Sequence, residues 1–247
     1  MLLPQSWERA LSQIQQSTVQ NRLLKALSTD DFALLQPHLQ PQAVHLHQMM
    51  IAPYASIEQL FFPESGFTSV VSEDAGNKIE VGMIGREGLV GAAPLLLGAD
   101  RSPYEHFIQL EGEVLCIGAE EITTAFRQSP SLQRLLLRYT QTLMVQTAQT
   151  AFVNAAYHIE ARLARWLLMC QDRIGGEVIV LTHEFLSMML GVQRTSVTLT
   201  LQTLEGNSLI RARRGRIEIR DREQLKLTAG KGYGVAESEY ARLIEGA

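Results

Sequence analysis

Residues 181–197 read Leu181-Thr-His-Glu-Phe-Leu-Ser-Met-Met-Leu-Gly-Val-Gln-Arg-Thr-Ser-Val197. Thr182 is a good helix N-cap, because its hydroxyl can accept from a free first-turn amide, and Glu184 lies where a helix start favours negative charge. A helix over Glu184–Leu190 would bury Phe185, Leu186, Met189 and Leu190. Gly191 supplies a left-handed residue to end it, with Val192 packing beneath the turn. A second helix then starts at Gln193 and runs to Leu204, with Val197, Leu201 and Leu204 facing inward at helical spacing. Gln193, Arg194, Thr195, Ser196, Thr198 and Gln202 lead that helix or line its outer side, and all are polar or small. Two helices about a tight glycine turn, the second offering donors at its N-terminal end, match the logic of a DNA-binding helix-turn-helix.

Beyond it, a turn at Glu205–Leu209 leads into Ile210-Arg-Ala-Arg-Arg-Gly-Arg-Ile-Glu-Ile-Arg220. This reads as a two-strand wing with its tip at Arg214-Gly215. Six arginines between Arg211 and Arg222 face only Glu218 and Asp221. Such a run in isolation is as readily a solvated face. Placed behind a helix-turn-helix, Arg213, Arg214 and Arg216 can reach the phosphates flanking a groove. The wider charge distribution agrees. Residues 1–156 carry nine Lys/Arg against fifteen Asp/Glu, whereas residues 157–247 carry thirteen against eleven. A chain of net charge −4 thus keeps a basic C-terminal third, and association responds to local potential.

The 247 residues, 46% hydrophobic and 19% charged, fit one large domain or two small ones, each with its own core. No run approaches the ~18 apolar residues of a membrane span. Met1–Arg9 lacks a basic segment followed by an apolar one, so no signal peptide is expected, and a cytoplasmic protein is. Two cysteines, Cys116 and Cys170, exclude a disulfide framework and a four-thiolate cluster.

Nine of the 18 glycines fall between Gly66 and Gly118, while residues 119–174 contain none and no proline follows Pro130. The middle therefore reads as short strands and tight turns, the following segment as long helix. Phe67–Val71 and Ile79–Ile84 flank Glu73-Asp-Ala-Gly-Asn77 as a hairpin. Ala43–Ile51, Gln59–Phe62, Tyr104–Leu110 and Glu113–Ile117 are further strands, together favouring a small barrel or jelly roll. Arg22–Leu27 and Asp31–Leu39 read as short helices, the second capped by Ser28 or Thr29. After Pro130, Leu132, Leu136, Tyr139 and Leu143 form a heptad seam that either turns polar at Gln146 and Thr150 or shifts register toward Met144, Ala148, Ala151 and Ala155. The seam packs either on its own barrel or on a twin helix. A further helix, His158–Arg173, carries Ile159, Leu163, Trp166, Leu167 and Cys170 on one face and ends at Gly175-Gly176. The tail after Arg222 contains a short helix within Glu237–Ile244.

This order of parts resembles the Crp/Fnr superfamily of bacterial transcription regulators. The resemblance runs from about Asn21 to Arg222 and is most specific in Arg162-Leu-Ala-Arg-Trp-Leu-Leu168 and in residues 181–197. Phe61–Gly66 and Glu80–Gly91 are similar to a branch with a degenerate cyclic-nucleotide-binding-like domain. The implied fold is α+β: an N-terminal jelly-roll (β-roll) sensor at 1–128, a long dimerisation helix at 129–156, and a C-terminal winged helix-turn-helix at 157–247. The implied protein is a homodimer on a palindromic operator, with double-stranded DNA and RNA polymerase as partners and no membrane. In the cyclic-AMP-responsive branch the recognition helix begins Ser-Arg-Glu-Thr-Val, where this chain has Gln193-Arg-Thr-Ser-Val197. Arg194 matches the guanine-reading arginine. Thr195 and Leu199 replace two other base readers, so the operator does not transfer, and Thr200 stands where an apolar residue is usual.

The same resemblance places a possible effector pocket at Gly91, Arg101 and Ser102. A cyclic-nucleotide site pairs Gly-Glu with a later Arg-Ser; Gly91 is followed here by Ala92, so the carboxylate is missing and cyclic AMP is disfavoured. Asp100-Arg101-Ser102 is either an anion holder or a solvated turn with a local ion pair. An iron–sulfur cluster lacks its cysteines, and haem would need His45 or His47, so the effector is unknown. His45 and His47 on one strand would share a face, as in metal-dependent jelly-roll enzymes, but the acidic ligand such sites use is absent. Gly85–Gly88 reads as a β-turn rather than an RNA clamp. Without a catalytic triad or phosphate loop, no enzyme and no catalytic or metal residue is expected. The remaining alternatives are an effector-binding or protein-interaction module that has lost DNA binding and, last, a metal-dependent jelly-roll enzyme.

Overall fold

A computed structural model describes residues 14–246. Two short helices, α1 (Arg22–Lys25) and α2 (Thr29–Leu35), open it, capped by the side chains of Asn21 and Ser28. The β-roll follows, with strands β1 (Gln40–Val44), β2 (Met49–Ile51), β3 (Gln59–Pro63), β4 (Phe67–Asp74), β5 (Asn77–Ile84), β6 (Glu105–Leu110) and β7 (Gly112–Gly118). Its two antiparallel sheets run β1-β7-β3 and β2-β6-β4-β5. Helix α3 (Ala92–Leu96) lies between β5 and β6. The expected β4–β5 hairpin forms, and its strands extend inward to a two-residue turn at Ala75-Gly76, both left-handed at φ 49° and 82°.

Ala43–Ile51 is not one strand. The chain leaves β1 at Val44, turns through residues 45–48 and re-enters as β2, with His47 at φ 64°. The Gln48 side chain accepts from the His45 amide at 3.0 Å, and the His47 amide donates to Ile108 O at 2.8 Å. These bonds offer the backbone an alternative to the ladder. His45 and His47 therefore do not share a strand face, and the premise for a two-histidine metal site is gone. Among the described residues no group of three or more His, Cys, Asp or Glu could hold a metal.

Helix α4 (Ala119–Gln128) leads to α5 (Pro130–Ala156), whose 27 residues span about 40 Å. Ser129 caps it, accepting from the Leu132 amide. Leu132, Leu136 and Tyr139 are buried in the core of the β-roll, with Leu143 packed against it. That seam faces the chain's own roll. The other face of α5 leaves Leu137, Met144 and Phe152 exposed, with Ala148, Ala151 and Ala155 beside them.

The C-terminal part comprises α6 (Ile159–Ile174), β8 (Val178–Val180), α7 (His183–Leu190), α8 (Arg194–Gly206), β9 (Ile210–Arg213), β10 (Arg216–Ile219) and α9 (Arg222–Ala229). The small sheet runs β8-β10-β9. A second core joins it to the roll: Phe67, Val71, Met83 and Phe107 pack with Leu163, Trp166, Leu167, Phe185 and Met189. The tail forms α10 (Val235–Tyr240) and a wide turn at Ala241–Glu245. It returns to the N-terminal half, where Tyr240 and Ile244 join the first core and Glu245 pairs with Arg22 at 2.6 Å. Among the described residues no helix is long and apolar enough to cross a membrane.

Candidate nucleic-acid interface

Helix α7 begins where its chemistry requires. Thr182 Oγ1 accepts from the Phe185 amide at 3.1 Å, and Gly191 closes the helix at φ 60°. A Cβ there would also lie 3.1 Å from Ile79 Cδ1 of β5, a tight contact. Helix α8 starts one residue later than expected, with Gln193 as extended N-cap and Arg194 as first helical residue. Val197, Leu201 and Leu204 are buried, as their spacing implied. Thr200 is buried with them, its hydroxyl donating to Ser196 O at 2.8 Å, which is how a polar residue fills an apolar slot.

The first turn of α8 is open to solvent: Gln193, Arg194 and Thr195 are exposed, Ser196 and Thr198 half-buried. Thr198 donates to Arg194 O and lies 3.1 Å from His183 Nδ1, tying the two helices together. Thr182 and Gln193 also line a groove between this motif and the β4–β5 hairpin.

The wing forms as a tight hairpin, with Arg213 paired to Arg216 across Arg214-Gly215. Gly215 takes φ 72°, a conformation that favours glycine. Arg213, Arg214 and Arg216 are exposed and make no ion pair with any described residue. Arg220 and Arg222 differ. Arg220 pairs with Glu218 at 3.0 Å, and Arg222 with Asp172 at 2.6 Å while lying over the Tyr233 ring. Glu205 Oε1 accepts from the Ala212 amide at 3.0 Å and fixes the wing to α8. One exposed surface therefore combines a helix N-terminus, an arginine at its first residue and a wing tip whose Arg213, Arg214 and Arg216 have no ion-pair partner among the described residues. Those are the groups that position a protein on phosphates and read base edges.

Gly91, Arg101 and Ser102 come together on the wall of a cavity of about 380 Å³ between the β-roll and α5. Gly91 caps α3 at φ 85°. Arg101 is exposed and makes a two-pronged pair with Asp100 at 2.8 and 2.9 Å, the local ion pair foreseen as one alternative. Ser102 is buried, and its Oγ accepts from the Tyr104 amide.

The joint between roll and helix-turn-helix was not apparent from sequence. Buried Glu80 of β5 accepts from Ser69 Oγ at 2.5 Å and from Trp166 Nε1 at 2.7 Å. Burial pushes its carboxyl up to about 7, against the pull of those hydrogen bonds and of Arg173 and Arg165. Arg173 of α6, also buried, donates to Met83 O at 3.1 Å and pairs with Glu87 at 2.6 Å. Gln146 of α5 accepts from the amide of the same Met83 at 2.8 Å. The sequence signal was an acidic residue inside the otherwise apolar run Ile79–Ile84.

Residues 161–228 match the family model of the Crp-like helix-turn-helix domain. No curated protein matches the chain by sequence. Among solved structures, the chain is similar to a regulator of the Crp/Fnr family from Eubacterium rectale (19% identity, TM-score 0.66, 84% of this chain and 97% of that one). It is similar to FixK2 from Bradyrhizobium japonicum (13%, TM-score 0.68, 78% and 98%). The c-di-GMP-responsive global regulator CLP of Xanthomonas campestris is a third such structure (16%, TM-score 0.64, 78% and 99%). At such identities these likenesses speak to fold. The chain has the fold of Crp/Fnr transcription regulators and carries, at residues 161–228, a Crp-like helix-turn-helix domain.

Proposed function

We propose that the protein is a sequence-specific, DNA-binding transcription regulator that acts as a homodimer on a palindromic operator and answers to an effector at the β-roll. One observation carries this: the exposed first turn of α8, led by Arg194, stands beside a wing tip whose Arg213, Arg214 and Arg216 have no described ion-pair partner. Arg194 reads base edges in the major groove, Thr182 and the α8 N-terminus hold phosphate, and the wing arginines grip the flanking backbone.

Dimerisation is assigned to the outer face of α5. Leu137, Met144, Ala148, Ala151 and Ala155 follow heptad spacing on a side the roll does not cover, and a second copy of α5 would bury them. A twofold dimer then presents two α8 helices to two half-sites. Contact with RNA polymerase belongs to the same proposal. A titration of labelled duplex DNA at rising salt tests it. Binding should weaken steeply through counterion release. Absence of binding at low salt, with and without cell extract as effector source, would leave a fold that has lost DNA recognition.

A further inference from the structure

The cavity between β-roll and α5 has walls from five elements: Val70 of β4, Val81 and Met83 of β5, Ala93 of α3, His106 of β6 and Leu143 of α5 are among its lining. Its volume, about 380 Å³, falls among pockets that enclose small molecules, roughly 300–1,000 Å³. Arg101 is the lone formally charged side chain among the described lining residues. It sits at the rim with 57% of its side chain exposed, already paired with Asp100. Ser102, His106 and Gln146 are the buried polar residues on the wall, and of these His106 has a nitrogen, Nδ1, with no hydrogen-bond partner among the described residues. A buried, unpaired imidazole nitrogen is costly unless something meets it.

We propose that this cavity binds a neutral, largely apolar small molecule with one hydrogen-bonding group for His106, and that its occupancy is relayed through the Met83 peptide. This deepens the effector part of the proposed function and rests on that reading of the roll. An anionic nucleotide would find no buried cation here: burial depresses the His106 imidazole to about 4, so it is neutral near pH 7. The relay follows from connectivity. Met83 lines the cavity, its amide donates to Gln146 of α5, and its carbonyl accepts from Arg173 of α6. Gln146 lines the same cavity. A ligand that moves this one peptide therefore acts on the long helix and on the helix-turn-helix domain together. Trp166, bonded to Glu80 on the same strand, lies at that joint.

The test uses N-phenyl-1-naphthylamine, a neutral aromatic probe whose emission rises in apolar surroundings, with full-length protein. One saturable probe site per chain is expected. Ala93→Phe from α3 and Val81→Phe from β5, which fill the cavity from different walls, should each weaken it about tenfold or more. Cyclic AMP should not displace it. A site indifferent to both fillings, displacement by cyclic AMP, or no probe site at all would overturn the proposal. If a filling variant loses its circular dichroism, the other variant and the displacement experiment still decide. In a Trp7→Phe background the emission of Trp166 should shift as the probe binds, and an unchanged spectrum would refute the relay. Loss of DNA binding alone would sink the regulator reading while leaving the probe result standing.

Discussion

Arg194 and Arg214 are both exposed, yet they stand on different supports. Arg194 begins a helix, where a planar guanidinium can fork onto a guanine edge; Arg214 tips a hairpin that can only follow the backbone. Arg194→Ala should cost about 1–3 kcal/mol on the preferred duplex and little on others, relaxing base preference. Arg214→Ala should weaken all duplexes alike and lower the salt slope by about one. Binding isotherms on matched and scrambled duplexes separate the two, and identical behaviour would refute the division of roles. Glu80 gives a different prediction. Its folded-state pKa, raised from 4.5 to about 7, means the protonated form suits the buried joint. That stabilisation is complete below about pH 4.5 and is lost as pH rises through about 7. The groups facing it are Ser69 from β4 and Trp166, Arg165, Cys170 and Arg173 from α6. In thermal melts from pH 5 to pH 8, Glu80→Gln should lose less stability than the parent, and comparing the pair cancels the opposite titration of His106. Parallel curves would show that Glu80 is not the group concerned. Arg194 was legible because a capped, periodic segment fixes its local position. Glu80 was not, because its partner Trp166 lies 86 positions away and only the packed fold brings them together.

Among elements, the helix-turn-helix is the most autonomous in its signals. Thr182→Ala removes the cap of α7 and should destabilise the protein by about 1 kcal/mol, within a range of roughly 0.5–2. Urea unfolding would measure it, and Thr182→Asn should restore most of the loss. Helix α5 shows the limit of periodicity. Leu132, Leu136, Tyr139 and Leu143 repeat as a dimer seam would, yet they pack on the roll. The stripe through Met144 repeats with the same period, so heptad spacing could not say which face meets which surface. Met144 is 60% exposed in the single chain, and Met144→Glu should shift sedimentation from dimer toward monomer. A dimer unaffected by the change would move the interface elsewhere. The broken strand at residues 45–48 is a similar case: a Gln48 side-chain bond decides the turn, and no hydrophobic pattern encodes it.

In the whole molecule, two cores meet along β5. The roll holds the first, while the second joins the outer face of its sheet to α6 and α7. Met83, Glu80, Trp166 and Arg173 make that joint polar as well as apolar, and they are the groups through which the proposed relay would run. Architecture was readable from punctuation and charge: glycines marked the roll, their absence marked the long helix, and arginines marked the wing. The tail was readable only as a short helix, because its docking depends on Tyr240 and Ile244 meeting a core built by distant residues. The central claim is sequence-specific binding by a twofold dimer. Selection from random duplex DNA, with the purified full-length protein and in parallel with added cell extract, tests it most directly. The account predicts an enriched palindrome whose half-sites lie about one helical turn apart and whose enrichment disappears with Arg194→Ala. A pool that stays random in both arms, or a motif untouched by Arg194→Ala, would contradict it.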